Sequence, residues 1–123
     1  ETPEAGVDVC RALAALGAPR AVDRLNSLLD DSQASVRDAA YSAVAKLNQQ
    51  TPLLAAGAGL AASAEDVRRR ALQTLLEATR AGADGRDLLV RALNDLAASV
   101  RSEAFKAVLN QQVAGGGEAT LRF

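Results

Sequence analysis

Apolar residues recur along this chain with the spacing of a helix face, and the whole pattern then repeats. Three segments carry it most clearly: Ser35-Val36-Arg37-Asp38-Ala39-Ala40-Tyr41, Asp66-Val67-Arg68-Arg69-Arg70-Ala71-Leu72 and Ser99-Val100-Arg101-Ser102-Glu103-Ala104-Phe105. Val36 and Val67 are 31 residues apart, and Val67 and Val100 are 33 apart. Four residues past each valine stands an alanine (Ala40, Ala71, Ala104), and five past stands a larger apolar residue (Tyr41, Leu72, Phe105). Val44 and Ala45, Leu75 and Leu76, and Val108 and Leu109 follow at eight and nine past. Such positions line one side of an α-helix. Upstream, Leu29, Leu60 and Leu93 lie seven residues before the valines, and Leu25, Ala56 and Leu89 lie eleven before. Each unit therefore predicts two amphipathic helices, A then B, joined by a short turn.

Shifting the first unit back by 31 residues aligns Val9, Cys10, Ala12, Leu13 and Leu16 with Ala40, Tyr41, Ala43, Val44 and Leu47. The chain is thus expected to open inside a B helix (residues 5–17) without its A partner. Helix pairs follow at about 19–49, 51–80 and 84–112, and the start of a further helix at 118–123. Turn chemistry agrees with this division. Gly17 suits the end of the first helix, and Pro19 and Pro52 suit first turns. Thr51 and Ser63 read as N-caps, with Glu65 and Asp66 placed favourably in a first turn. Ala81-Gly82-Ala83-Asp84-Gly85 absorbs the two extra residues of the third unit as a loop, and Gly115-Gly116-Gly117 reads as a linker. Gly57 and Gly59 each cost about 1 kcal/mol against alanine in a helix, so close helix approach is expected there.

Composition removes most chemistry from this segment. The 123 residues include no His, Trp or Met and a single Cys. Without histidine there is no Ser-His-Asp or Cys-His catalysis by this chain alone, and no His-containing zinc site. One cysteine excludes an internal disulfide and a multi-cysteine zinc site. We expect no enzyme activity, no cofactor and no metal. Lys+Arg 14 against Asp+Glu 15 gives a net charge of −1, which argues against nucleic acid as a partner. Mean hydropathy is +0.01, and no apolar run reaches the roughly 18 residues of a membrane span. No signal-like segment opens the chain. A cytoplasmic protein is expected. With Glu at position 1 and no Met, we read the sequence as a piece of a longer chain.

The recurring Leu-x6-Val-Arg-x3-Ala pattern, with Asp31 and Asp95 ahead of the Val-Arg pair, resembles a HEAT repeat. The short period is similar to the bacterial HEAT-like class named after the phycobilisome lyases. The resemblance implies an all-α fold, a right-handed α-solenoid of stacked antiparallel helix pairs. It also implies a non-catalytic protein-interaction scaffold, with the B helices on an inner binding face. A bilin-lyase-like role within a larger enzyme is the alternative it leaves open. In the family, turn aspartates and B-helix arginines form a ladder along the stack, which assigns that structural role to Asp31, Asp95, Arg37, Arg68 and Arg101. The second unit departs from the pattern, because Ala62 occupies the Asp column and Asp66 would have to substitute.

Outside the apolar stripe, the densest positive spot on the B helices is Arg69, Arg70 and Lys106, extended by Arg68 if its ladder partner is absent. With Gln73 and Ser102 these form the candidate binding residues. An acidic peptide or a phosphate backbone is the chemistry they suit. A solvated charged face, with Glu77 and Glu103 as local partners, is the competing reading. No aromatic residue is interleaved for base stacking. Cys10 falls in the large apolar column, so a buried thiol is expected, with exposure and dimerisation as the alternative. Asp30 and Asp31 are expected to cap the next turn. Val9, Leu13 and Leu16 at one end, and Val108, Leu109, Leu121 and Phe123 at the other, are expected to be exposed and to favour end-to-end self-association.

Overall fold

A computed structural model describes the backbone of residues 3–114 and the side chains of residues 5–110. Among them are seven helices and no strand: α1 (Pro3–Leu16), α2 (Pro19–Leu28), α3 (Ala34–Leu47), α4 (Pro52–Leu60), α5 (Glu65–Arg80), α6 (Arg86–Leu93) and α7 (Ala98–Ala114). Short helices alternate with long ones after α1. The long helices pack successively, α1 on α3, α3 on α5 and α5 on α7, while α2, α4 and α6 pack against the long helices that follow them. Residues 115–123, which include the expected glycine linker, the further helix start, Leu121 and Phe123, lie outside the described residues.

The apolar columns become one continuous core. Ala40, Ala71 and Ala104 are fully buried, as are Leu25, Leu72, Leu75, Leu89 and Val100. Small alanines at these positions let neighbouring helices interlock without voids. Gly59 shows how tight the packing is. A Cβ there would sit 2.6 Å from both the Ala71 Cβ and the Tyr41 ring, so only glycine lets α4 seat against α3 and α5. Gly57 has no such constraint, its nearest neighbour being Leu88 Cδ2 at 3.8 Å.

Helix boundaries follow some of the expected signals and not others. Gly17 adopts φ +63 and its N–H reaches Leu13 O at 3.2 Å, closing α1. Pro19 and Pro52 occupy first turns. Thr51, however, makes no side-chain cap bond, and α5 is preceded by Ala64 rather than Ser63. The turn before α5 is held from outside instead, because the Ser63 N–H donates to Asp30 Oδ1 at 2.8 Å. Asp31 and Asp95 cap their own turns, accepting from Gln33 N at 3.0 Å and Ala97 N at 2.9 Å.

Two ends of the stack differ from expectation. Val9, Leu16 and Leu109 are exposed, but Leu13 is half-buried and Val108 is buried. Phe105, whose counterparts Cys10, Tyr41 and Leu72 are all buried, is 56% exposed. Its column is the one a following long helix covers, and no helix follows α7 among the described residues. Cys10 is a free buried thiol, and burial pushes its pKa up, as an inert core cysteine requires.

Candidate functional site

Two charge ladders run along the stack, on different sides of the long helices. The first is at the turns. Arg37, Arg68 and Arg101 each donate to the carbonyl six residues earlier: Asp31 O at 2.8 Å, Ala62 O at 3.2 Å and Asp95 O at 2.7 Å. Arg37 and Arg68 also reach forward to the next turn. Arg37 grips Asp66 through Nε and Nη2, at 3.1 and 2.9 Å, and Arg68 Nε lies 3.0 Å from Asp95 Oδ2. Asp66 therefore substitutes in the second unit, where Ala62 holds the Asp column. The Arg37 guanidinium, with its hydrogen bonds first and its charge second, holds the Asp66 carboxyl below its ordinary pKa. Because Arg68 is committed to Asp95, with side chains only 11% and 7% exposed, it adds nothing to a binding patch.

The second ladder crosses the solvent-facing side of the long helices and takes up three of the predicted binding residues. Arg70 Nη1 lies 2.6 Å from Asp38 Oδ1 on α3, donates to the Asp38 carbonyl and the Ser42 hydroxyl, and stacks 5.0 Å from the Tyr41 ring centroid. Tyr41 completes the contact by donating to Thr74 Oγ1 at 2.7 Å. Arg69 pairs with Glu103 on α7 at 3.5 Å, and Gln73 Nε2 donates to the same carboxylate at 3.0 Å. Glu103 acts as the partner expected of it; Glu77, expected to do the same, makes no ion pair within 4.0 Å among the described residues. The role of Asp38 was not anticipated, since nothing in one helix's pattern says which neighbour its outward acids face.

Lys106 behaves differently. It is exposed, forms no ion pair among the described residues, and borders a groove of about 400 Å³ between α5 and α7. Leu76 and Ala107 contribute apolar surface to that groove, and Gln73, Arg80, Glu103, Lys106 and Asn110 contribute polar groups. Arg80, in the last turn of α5, also has no acidic partner among the described residues. Sequence reasoning missed it, although an unmatched arginine at a helix end was visible. Ser102 is exposed, forms no side-chain hydrogen bond among the described residues and does not line the groove. So the structure brings Gln73 and Lys106 to one groove, sets Arg69 and Arg70 into inter-helix bridges, and leaves Ser102 apart. A comparable groove of about 510 Å³ lies between α1 and α3, with Arg11, Asp38, Ser42 and Lys46 among its polar residues.

The family described as HEAT repeats matches residues 2–75. The chain belongs to the HEAT-repeat family. The match ends inside α5, yet α6 and α7 continue the pattern, with Arg101 on the Asp95 carbonyl as Arg37 is on that of Asp31. No curated protein and no solved structure matches the chain. HEAT repeats serve in general as scaffolds for protein–protein interaction, and protein partners are the class they imply. Among the described residues no group of three or more His, Cys, Asp or Glu is placed to hold a metal ion, and no helix is long and apolar enough to cross a membrane.

Proposed function

We propose that this HEAT segment is a non-catalytic scaffold that holds an acidic stretch of a partner protein in the groove between α5 and α7. The observation that carries the reading is the pairing pattern: Arg69 and Arg70 already have carboxylates, while Arg80 and Lys106 border an open groove and have no acidic partner among the described residues, the Glu103 carboxylate that also lines it being held by Arg69 and Gln73. A carboxylate-bearing chain would find two unneutralised cations beside the apolar surface of Leu76 and Ala107. Hydrogen-bonding edges from Gln73 and Asn110 add direction. The phosphate-backbone alternative loses support, because two of its three cations are engaged within the protein.

Fluorescence anisotropy with a labelled peptide of glutamate and leucine residues tests this at about 50 mM salt, where screening is modest. Saturable binding is expected, weakened at least about tenfold by the paired substitutions Arg80→Glu and Lys106→Glu and changed less than about twofold by Arg70→Gln. Unchanged binding in the double variant rejects the groove. A gel shift with duplex DNA under the same conditions is expected to show no complex.

Self-association is a second reading, favoured by the 56% exposure of Phe105 beside exposed Leu109 on α7. Sedimentation equilibrium should then show a dimer that Phe105→Glu dissolves; a concentration-independent monomer contradicts it.

A further inference from the structure

The groove between α1 and α3 and the groove between α5 and α7 are built from the same columns of the repeat, two units apart. Arg11 and Ala14 of α1 stand where Gln73 and Leu76 stand on α5. Ser42, Ala43 and Lys46 of α3 stand where Lys106, Ala107 and Asn110 stand on α7. Their charges are arranged alike as well. Each groove carries one carboxylate that an arginine of α5 already holds, Asp38 by Arg70 in the first and Glu103 by Arg69 in the second. In the α1–α3 groove Lys46 is exposed and makes no ion pair within 4.0 Å among the described residues. Arg11 has only Asp8, at 3.7 Å, with the two side chains 78% and 73% exposed. Such a pair in open solvent is loose and contributes little. Val7, Ala14 and Ala39 supply apolar surface beside these cations.

The columns between the two grooves are occupied differently. On α5 they hold Arg70, Gln73, Thr74 and Glu77. Arg70 is taken up by Asp38 and Ser42, Gln73 donates to Glu103, and Thr74 accepts from Tyr41. Glu77 is exposed and makes no ion pair within 4.0 Å among the described residues. A chain crossing from one groove to the other therefore passes a carboxylate, which repels an acidic residue and favours a neutral or basic one.

We propose that the two grooves are halves of one site, which takes a partner segment with two acidic clusters centred about six residues apart and uncharged or basic residues between them. The spacing follows from helix packing. Two steps between adjacent long helices, about 8–10 Å each, separate the groove centres by about 16–20 Å, and an extended chain covers that in about five or six residues. The proposal rests on the α5–α7 groove being the seat of an acidic stretch. It adds a second seat, weaker by itself because Arg11 keeps Asp8 beside it. Once one cluster is bound, the other binds intramolecularly, and affinity rises only when the spacing lets both reach.

Fluorescence anisotropy of the whole chain at about 50 mM salt tests it with three labelled peptides. One carries a single Glu-Leu-Glu cluster. The second joins two such clusters through Gly-Ser-Gly, and the third joins them directly and carries Gly-Ser-Gly at its end, so the last two share composition and charge. The spaced peptide should bind at least about fivefold tighter than the directly joined one. Arg11→Gln together with Lys46→Gln, both at exposed positions, should make those two peptides equal and leave the single cluster unchanged. Lysine in place of the spacer serine should tighten binding and glutamate weaken it, and Glu77→Gln should shrink that difference; thermal midpoints check that each variant folds. Where the single cluster binds and Arg80→Glu with Lys106→Glu weakens it, equal binding of the spaced and joined peptides overturns this proposal and leaves the α5–α7 reading standing. So does a spacing effect that survives Arg11→Gln with Lys46→Gln, or indifference to the charge of the spacer. No saturable binding by any of the three overturns both.

Discussion

The contact between α3 and α5 and the contact between α5 and α7 are built from the same columns and are both bridged, yet they leave different cations unpaired. In the first, Tyr41 reaches across to Thr74, and Arg70 folds over the Tyr41 ring onto Asp38 and Ser42. In the second, Leu72 stands where Tyr41 does and offers no hydroxyl or ring face to the next helix. Arg69 and Gln73 reach across to Glu103, and Lys106 and Arg80 have no acidic partner among the described residues. The difference teaches that a repeat scaffold can hold its core constant while single residues of each unit decide which of its outward charges are paired.

Substitutions that break this comparison should separate core from surface. Leu75 is fully buried and belongs to the core beneath both contacts. Leu75→Ala is expected to cost about 2–5 kcal/mol in a urea melt; a loss below about 0.5 kcal/mol would mean the apolar register is misread. Gly59→Ala should cost about 1–3 kcal/mol, because the new methyl group collides with the Tyr41 ring and Ala71. Gly57→Ala, with room for the methyl, should be neutral or stabilise by up to about 1 kcal/mol. That contrast, measured in parallel melts, is specific to the α3–α5 contact.

Tyr41→Phe removes the hydroxyl that joins α3 to Thr74 and should cost about 1 kcal/mol. Leu72→Ala is no equivalent control, since Leu72 is fully buried and its loss belongs with the core substitutions. Asp38→Asn should cost no more than about 1 kcal/mol, since the Arg70 and Asp38 side chains are 43% and 66% exposed.

The smallest effect expected is one of pH. Asp66 has a folded-state pKa below its unfolded one, so its contribution is present above the unfolded value and is lost as pH falls through the folded value. Asp66→Asn should therefore flatten the decline of the thermal midpoint at acid pH. An unchanged decline would show that the Arg37–Asp66 rung contributes nothing.

Much of the architecture was legible because burial repeats. Ala40, Ala71 and Ala104 lie at one column and are all buried, and the substitution of Asp66 for the missing Ala62-column acid could be read from charge and position alone. The failures share a cause as well. Phe105 reads as core by its column, but burial needs a neighbour to cover it. Arg69 and Arg70 read as an exposed patch, because a helix pattern gives the side on which a residue lies and not the residue across the gap. Asp38 and Glu103, 32 and 34 residues from their partners, neutralise them through the rotation of adjacent helices. Thr51 and Ser63 read as caps, yet the amide at Ser63 is taken by Asp30 from the preceding unit. Local chemistry predicted where the helices lie but not these two caps, and contacts between units only where the ladder repeated.

The central claim is that the open α5–α7 groove, and not the arginine-rich spot on α5, receives a partner. Residue-resolved NMR mapping with the glutamate–leucine peptide measures this directly. Saturable shifts concentrated at Gln73, Leu76, Arg80, Lys106 and Asn110, with Tyr41, Arg70 and Thr74 unmoved, are the predicted result. Shifts centred on Arg70 and Asp38, or spread evenly over the helices, would contradict it.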